Sequence, residues 1–521
     1  MRPARAIFLS ILAAAAFLPF LGRRDIVISH EARVVQTARQ MAESGWPWRA
    51  APATVPNVHL VQRADLNGAL RLDPDRTTPP LHVNPWLVPV LNDEIRLQKP
   101  PLPYWCSAIL FKLAGHWSEA LARGTPALLG ALATLLIYDL ARRTLGRRFA
   151  VPATLVWVTS YFIPDEYRKV MADPYLAFFA LAALWAWIRA TRASLLLFYI
   201  ATALGLLAKG PPLLIHLLIP IVLYHVLYRR RVPGSISLHI IGIAILIAIA
   251  LPWPLYVLRH IPHATDIWRY ESVGELTDNI DNARPFLYYL PQLLQISLPW
   301  TPLWLFGLAI AWRRRRTLFP LLWYALTVLF FSFVHLKKNA YLLPVMPAQT
   351  LLIALAIDRL RASLRLRRRM GRPKFDDTLA IVCTLLVIAL VGFLNFIRTP
   401  IENVRSPRTA AAFINLALKS GQSITTLPAK LPPEATLYLP LDITFDPRAT
   451  TILYLLDDPN GKSPTDLASF QRRLPEVNLI AARAVRLPGR RYKLFALTTA
   501  PGQPKSLALN TTPPSPPPHR D

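Results

Sequence analysis

Long apolar runs recur along the chain up to about residue 400, and clusters of arginine close many of them. The runs at 6–20, 124–141, 148–164, 174–189, 194–208, 212–228, 237–258, 286–312, 318–334, 341–358 and 378–397 predict eleven helices, most near the ~20 residues that a bilayer requires. The first follows Arg2 and Arg5 as the core of a signal peptide would. LGRRD stands where a small-residue cleavage site is needed, so the run reads as an uncleaved first helix. With the N-terminus in the cytoplasm, alternation puts Arg2/Arg5, 142–148, 189–193, 229–231, 313–316 and 359–374 on the cytoplasmic side, with 23 Lys and Arg in all. The short opposite loops at 165–173, 209–211 and 335–340 hold five. This is the asymmetry that membrane topology imposes.

Three larger regions then lie outside the cytoplasm: 22–123, 259–285 and the chain beyond 400. Within the first, 100–117 is apolar but opens on prolines, and a further span would invert the later charge pattern. It therefore reads as interfacial or re-entrant. Beyond 400, a helix-like TAAAFINLALKS precedes strand-like ATLYLPL, TILYLL, VNLIAARAV and RYKLFAL, which predicts a small α/β domain over 400–500. Residues 501–521 read as a disordered Pro-rich tail. The expected class is thus an all-α polytopic membrane domain over 1–399 with a small extracytoplasmic α/β domain.

Composition agrees: 53% of the residues are hydrophobic and 17% charged. The net charge of +29 would suit nucleic acid, but the arginine clusters sit between apolar runs, where topology alone explains them. Cys106 and Cys383 are far apart in apolar surroundings and read as neither a disulfide nor metal ligands.

Five polar segments share the predicted outer side: HEARVVQTARQMAESG (30–45), LNDEIRLQKPPLPYW (91–105), DEYRKVMADPYL (165–176), LLAKGPP (206–212) and HLKKNAYLLPVMP (335–347). Each alone has an ordinary reading: surface helix, interfacial loop, helix-start charge or snorkelling lysine. Together they set basic groups beside a few carboxylates at the membrane face. Such a set suits an anionic lipid head, with cations for phosphate and a carboxylate or histidine to take a proton.

The ordered set also resembles the aminoarabinose transferase and protein O-mannosyltransferase superfamily, which has the GT-C glycosyltransferase fold. The matching residues are His30-Glu31-Ala32-Arg33, Ala38 to Gly45, Lys99-Pro100-Pro101-Leu102-Pro103-Tyr104-Trp105 and Arg168 to Asp173 to Leu176. Further along they are Leu206 to Pro211, Pro285 to Pro291, Leu298 to Trp300, and Lys337, Tyr341, Leu343 and Pro344. His30 stands where the superfamily has Asp, Gln98 where an acid often precedes Lys-Pro-Pro, and 49–87 looks like an insertion.

The resemblance implies sugar transfer from a polyprenyl-phosphate donor to a lipid (such as lipid A) or protein acceptor, outside a bacterial inner membrane. It implies Lys99, Lys209, Arg33, Lys337 and Tyr341 for the donor phosphate, and Asp173 or Glu31 as base with His30 assisting. No cofactor and no metal site is expected from the sequence. A lipid flippase would also want cations in a membrane cavity, but repeated halves with broken helices are not evident. An inactive lipid-binding relative is the third reading, resting on the losses at His30 and Gln98.

Overall fold

The computed structural model describes residues 3–62, 70–75, 79–92, 94–269, 284–366, 372–404, 406–419, 424–427, 436–439, 451–457, 479–485 and 492–499. The chain divides into two compact units: residues 1–23 with 37–396, and residues 24–36 with 397–521.

In the first unit every predicted span falls on helix. These helices are α1 (Pro3–Phe17), α4 (Glu119–Thr144), α5 (Arg147–Thr159), α7 (Ala172–Arg189), α8 (Arg192–Lys209), α9 (Pro212–Tyr228), α10 (Ile236–Ala250) and α11 (Pro252–His260). They continue with α13 (Tyr289–Ile296), α14 (Thr301–Ala311), α15 (Arg315–Phe333), α16 (Met346–Leu366) and α17 (Arg372–Gly392), with the short helices α6 (Phe162–Tyr167) and α12 (Ala264–Arg269) between them in sequence. Among the described residues five helices are long and apolar enough to cross a membrane, or up to seven if each bent pair is one span. Many apolar side chains, such as Leu218, Val222, Ile240 and Ile247, are exposed, as a bilayer solvent permits.

One detail of the pattern needs correction. The run at 286–312 is not one straight span: Phe286–Ile296 and Thr301–Ala311 meet at 117°. Pro299 has no backbone N–H to give, and it pushes Leu298 away from helical geometry. The piece 100–117 holds α3 (Leu102–Ala114), started by prolines and closed by Gly115 at φ 73°. Its 13 residues fall short of a span.

Close packing holds the centre together. Helix α16 is buried over Met346–Ile357 and packs on α5, α14 and α15. Gly130 of α4 lets Phe17 and Tyr167 approach, since a Cβ there would stand 2.6 Å from the Phe17 ring. The first loop carries α2 (Ser29–Ser44), whose first half groups with the second unit. It also carries short strands: β1 (Ala53–Val55) pairs with β4 (Leu81–Val83), β2 (Asn57–Gln62) with β3 (Leu70–Asp75), and β5 (Val90–Leu91) with β6 (Glu94–Ile95), all antiparallel. Indole N–H groups pin this loop. Trp86 donates to Gly45 O at 3.1 Å, Trp105 to Trp86 O at 2.7 Å, Trp253 to Leu87 O at 2.8 Å and Trp268 to Leu97 O at 3.2 Å.

Among the described residues the second unit holds Thr399–Asn403 (α18) and Arg408–Lys419 (α19), besides the start of α2, with a four-stranded mixed sheet. Strands β7 (Ile424–Leu427), β8 (Thr451–Asp457), β9 (Leu479–Val485) and β10 (Tyr492–Thr499) run in the order β7-β8-β10-β9, β7 and β8 being parallel. Of the predicted strand ATLYLPL, the described residues 436–439 form a turn. It presents Tyr438, whose hydroxyl accepts the Ile26 N–H at 2.8 Å. The predicted tail at 501–521 lies outside the described residues.

Candidate active site

The polar centre of the first unit gathers at the start of α7 and the end of α8. Asp173 is in the first turn of α7, where the helix dipole favours a negative charge. It does not cap that helix: Met171 holds the N-cap position, with no side-chain bond. Asp173 Oδ1 accepts from Lys209 Nζ at 2.5 Å, and both side chains are buried, 7% and 9% exposed. The ammonium also lies 4.4 Å from the centre of the Tyr341 ring, so the cation has an ion pair and an aromatic face.

Lys209 ends α8 because Gly210 follows it at φ +79° and ψ −147°, which a side chain would resist. A Cβ at Gly210 would lie 3.9 Å from Pro100 Cγ, so the Lys99-Pro100 step runs beside the α8–α9 turn. Trp268 holds this step through Leu97 O, and Arg96 Nε donates to Tyr104 OH at 3.1 Å. Burial alone would raise the Asp173 carboxyl. Lys209 foremost, then Lys99 and Lys338, hold it below the ordinary range instead.

Of the sequence candidates, Lys99, Lys209, Asp173 and Tyr341 therefore come together. Lys337 is used otherwise: it donates to Arg284 O at 3.0 Å and Val334 O at 2.6 Å, fastening its own loop. Its neighbour Lys338, not singled out in the sequence, is the one whose charge acts on Asp173. His30, Glu31 and Arg33 belong to the second unit. There Glu31 is buried and paired with Arg24 Nη2 at 3.4 Å, and Arg24 also reaches Glu402 at 3.4 Å. His30 is exposed and Arg33 half-buried.

The loop before Asp173 adds groups that the motif reading passed over. Lys169 pairs with Asp165 at 2.9 Å and with Glu166, all three buried. Burial raises the Glu166 carboxyl against the pull of Lys169, with Asp165 and Asp173 adding to the rise. Burial would lower Lys169, but Asp165 and Glu166 raise it. Arg168 ties the loop down through Asn395 Oδ1 at 2.7 Å and Pro19 O at 2.8 Å. The signal was the density of charge in DEYRK on a predicted short loop. Among the described residues no group of three or more His, Cys, Asp or Glu is placed to hold a metal ion.

Comparison with known proteins agrees with the motif order. Residues 79–268 match the family described as dolichyl-phosphate-mannose-protein mannosyltransferase. The chain is 29% identical over 332 residues to the undecaprenyl phosphate-alpha-4-amino-4-deoxy-L-arabinose arabinosyl transferase 2 of Proteus mirabilis, covering 59% of this chain and 58% of that protein. It is 31% identical over 329 residues to a Pseudomonas fluorescens protein named as arabinosyl transferase 1 of the same kind, covering 59% and 58%. The match thus spans less than two thirds of either relative's length. The crystal structure of ArnT from Cupriavidus metallidurans bound to undecaprenyl phosphate superposes with a TM-score of 0.67 at 18% identity. It covers 95% of this chain and 98% of that one. The fold is therefore shared along nearly the whole chain, and the resemblance read from the motifs holds.

Proposed function

We propose that this chain is a membrane glycosyltransferase that moves a sugar from a polyprenyl-phosphate donor to a lipid or protein acceptor on the extracytoplasmic face. The observation that carries this reading is the meeting of Lys99, Lys209 and Lys338 around one buried carboxylate, beside Tyr341 and among apolar helices. Three lysines act on this one carboxylate in a place that water reaches poorly, and the arrangement suits a phosphate carried on a lipid. The similarity to transferases whose names specify an undecaprenyl-phosphate-linked aminoarabinose supports the donor class, and makes that sugar the first to try.

In the step, an acceptor oxygen or nitrogen attacks the anomeric carbon. The bond from that carbon to the phosphate oxygen breaks, and its electron pair leaves with the polyprenyl phosphate. Charge grows on that oxygen, so Lys99 and Lys209 act most strongly in the transition state. The acceptor's proton goes to Asp173. Its carboxylate is ionised, and Oδ2 is the oxygen not bonded to Lys209. A carboxylate with a lowered pKa is a weak base toward a resting hydroxyl, so it takes the proton only as the acceptor becomes acidic during attack.

We place the Lys209 end of α8 outside the cytoplasm and count eleven spans, on the strength of the arginine asymmetry. Direct binding of undecaprenyl phosphate to purified protein, compared with undecaprenol, tests the reading. The phosphate should account for most of the affinity. Equal affinity for the two lipids would remove the basis for it.

A further inference from the structure

Helix α9 leaves the Lys209 turn at Pro212 and ends at Tyr228, where a second charged region lies. The Tyr228 hydroxyl stands 3.0 Å from Thr144 O, at the end of α4, and 3.3 Å from Arg316 O, at the start of α15. Its ring meets Phe319 of α15 at 5.6 Å. One side chain thus joins three runs far apart in sequence: RRTLGRR (142–148), RRR (229–231) and RRRR (313–316). Asp139 pairs with Arg142 at 2.5 Å and Arg143 at 2.6 Å, and Asp358 with Arg148 at 3.3 Å. The other arginines of these runs, Arg147 with 229–231 and 313–316, are exposed. None of them has a carboxylate partner among the described residues. Val226 and Val232 are exposed beside the second run, and Trp312 beside the third.

Membrane topology asks for positive charge near the ends of spans, but not that three loops converge. Guanidinium groups gathered without acids repel one another. At Asp139 and Asp358 the chain meets such charge from within, and at the remaining arginines it does not. An anion from outside offsets the repulsion, and guanidinium groups bind phosphate through paired N–H groups. These arginines sit at the ends of apolar helices, with valine and tryptophan side chains open beside them. That combination fits a phosphate at the surface of a bilayer better than one free in water. We propose that this face binds the phosphates of anionic phospholipids in the leaflet it meets, which the arginine asymmetry makes the cytoplasmic one. Such a lipid is not consumed, and its site lies at the other end of α9 from Lys209.

The full chain, purified in detergent, is titrated with short-chain phosphatidylglycerol, short-chain phosphatidylcholine and glycerol phosphate. Phosphatidylglycerol should bind about tenfold or more tightly than phosphatidylcholine at low salt, and the gap should narrow at high salt. Arg230→Gln/Arg231→Gln and Arg313→Gln/Arg314→Gln should each weaken phosphatidylglycerol about tenfold. Where a pair melts more than a few degrees below the wild type, the single variants Arg230→Gln and Arg313→Gln take its place. Asp139→Asn/Arg142→Gln/Arg143→Gln removes arginines that a carboxylate already meets, and should stay within about threefold of the wild type. Tyr228→Phe removes no charge but releases both carbonyls, and should weaken binding about threefold or more. Equal binding of the two phospholipids would overturn the assignment. So would an equal loss in the Asp139 set, or an unchanged affinity in Tyr228→Phe, since separate arginine runs would then suffice. Glycerol phosphate bound as tightly as phosphatidylglycerol would give the face to a soluble phosphate instead. A short RNA bound with the same losses, in place of phosphatidylglycerol, would give it to nucleic acid.

Discussion

Lys209 Nζ is held between Asp173 Oδ1, at 2.5 Å, and the ring of Tyr341, at 4.4 Å. Removing only one member of a buried pair leaves the other charge unmatched, at a cost of ~3–5 kcal/mol. Lys209→Met should therefore lower stability by about that order, and undecaprenyl phosphate affinity by roughly tenfold or more. The double variant Asp173→Asn/Lys209→Met should regain much of the stability but none of the affinity. Thermal melting with binding on the same samples separates the two effects. Restored affinity in the double variant would show that Lys209 serves only its carboxylate.

Lys99 is predicted to act on the same phosphate from the neighbouring turn, where Pro100 adjoins Gly210. Lys99→Met should weaken binding by a similar factor with a smaller loss of stability. Lys337→Met should change binding little, because its ammonium is spent on Arg284 O and Val334 O. A larger binding loss at Lys337 than at Lys99 would reverse the assignment.

Asp173→Asn tests the base. The amide keeps the shape of the side chain but cannot accept the proton, so transfer should fall by roughly 10²-fold or more while donor binding changes little. The lysines hold the Asp173 carboxyl below its usual value. The acid limb of the wild-type transfer profile should accordingly lie below the ~3.9 of an ordinary aspartate. By the same linkage, the stability that this pair contributes is present above the unfolded-state value and lost as pH falls through the lower folded value. Near-normal turnover in the Asn variant would shift the role to Glu31 with His30.

Glu166 titrates in the opposite sense. Its folded-state pKa is raised, chiefly by burial. The protonated form is therefore favoured in the folded state, and its contribution to stability is lost as pH rises through the folded value. Glu166→Gln should raise the melting temperature at pH 8 relative to the wild type more than it does at pH 4. The reverse order would mean that the ion pair with Lys169 outweighs burial.

The helices of the first unit were legible because the apolar runs are long and the arginines mark their ends. The bend at Ser297–Trp300 was less so, since a proline inside an apolar run reads equally as a kink or a stop. In the site, the motifs located Lys99, Lys209, Asp173 and Tyr341, but no spacing rule pairs Asp173 with Lys209 across two helices. Nor does sequence tell Lys337 from Lys338 in an irregular loop, where side-chain direction follows no period.

Orientation has its own test. In a protein lacking Cys106 and Cys383, a cysteine at the exposed position Arg230 should be shielded from an impermeant thiol reagent in intact cells, while one at exposed His335 should react. Labelling of the first and not the second would invert the arrangement.

The most direct measurement of the central claim is release of a radiolabelled sugar from an undecaprenyl-phosphate donor by purified protein in lipid, with aminoarabinose as the first sugar and an acceptor lipid or peptide supplied. The account predicts acceptor-dependent transfer with equimolar undecaprenyl phosphate as co-product, lowered by roughly 10²-fold or more in Asp173→Asn and strongly reduced in Lys209→Met. Tight, phosphate-dependent binding of the donor with no transfer to any acceptor, and no difference between the wild type and these variants, would contradict it.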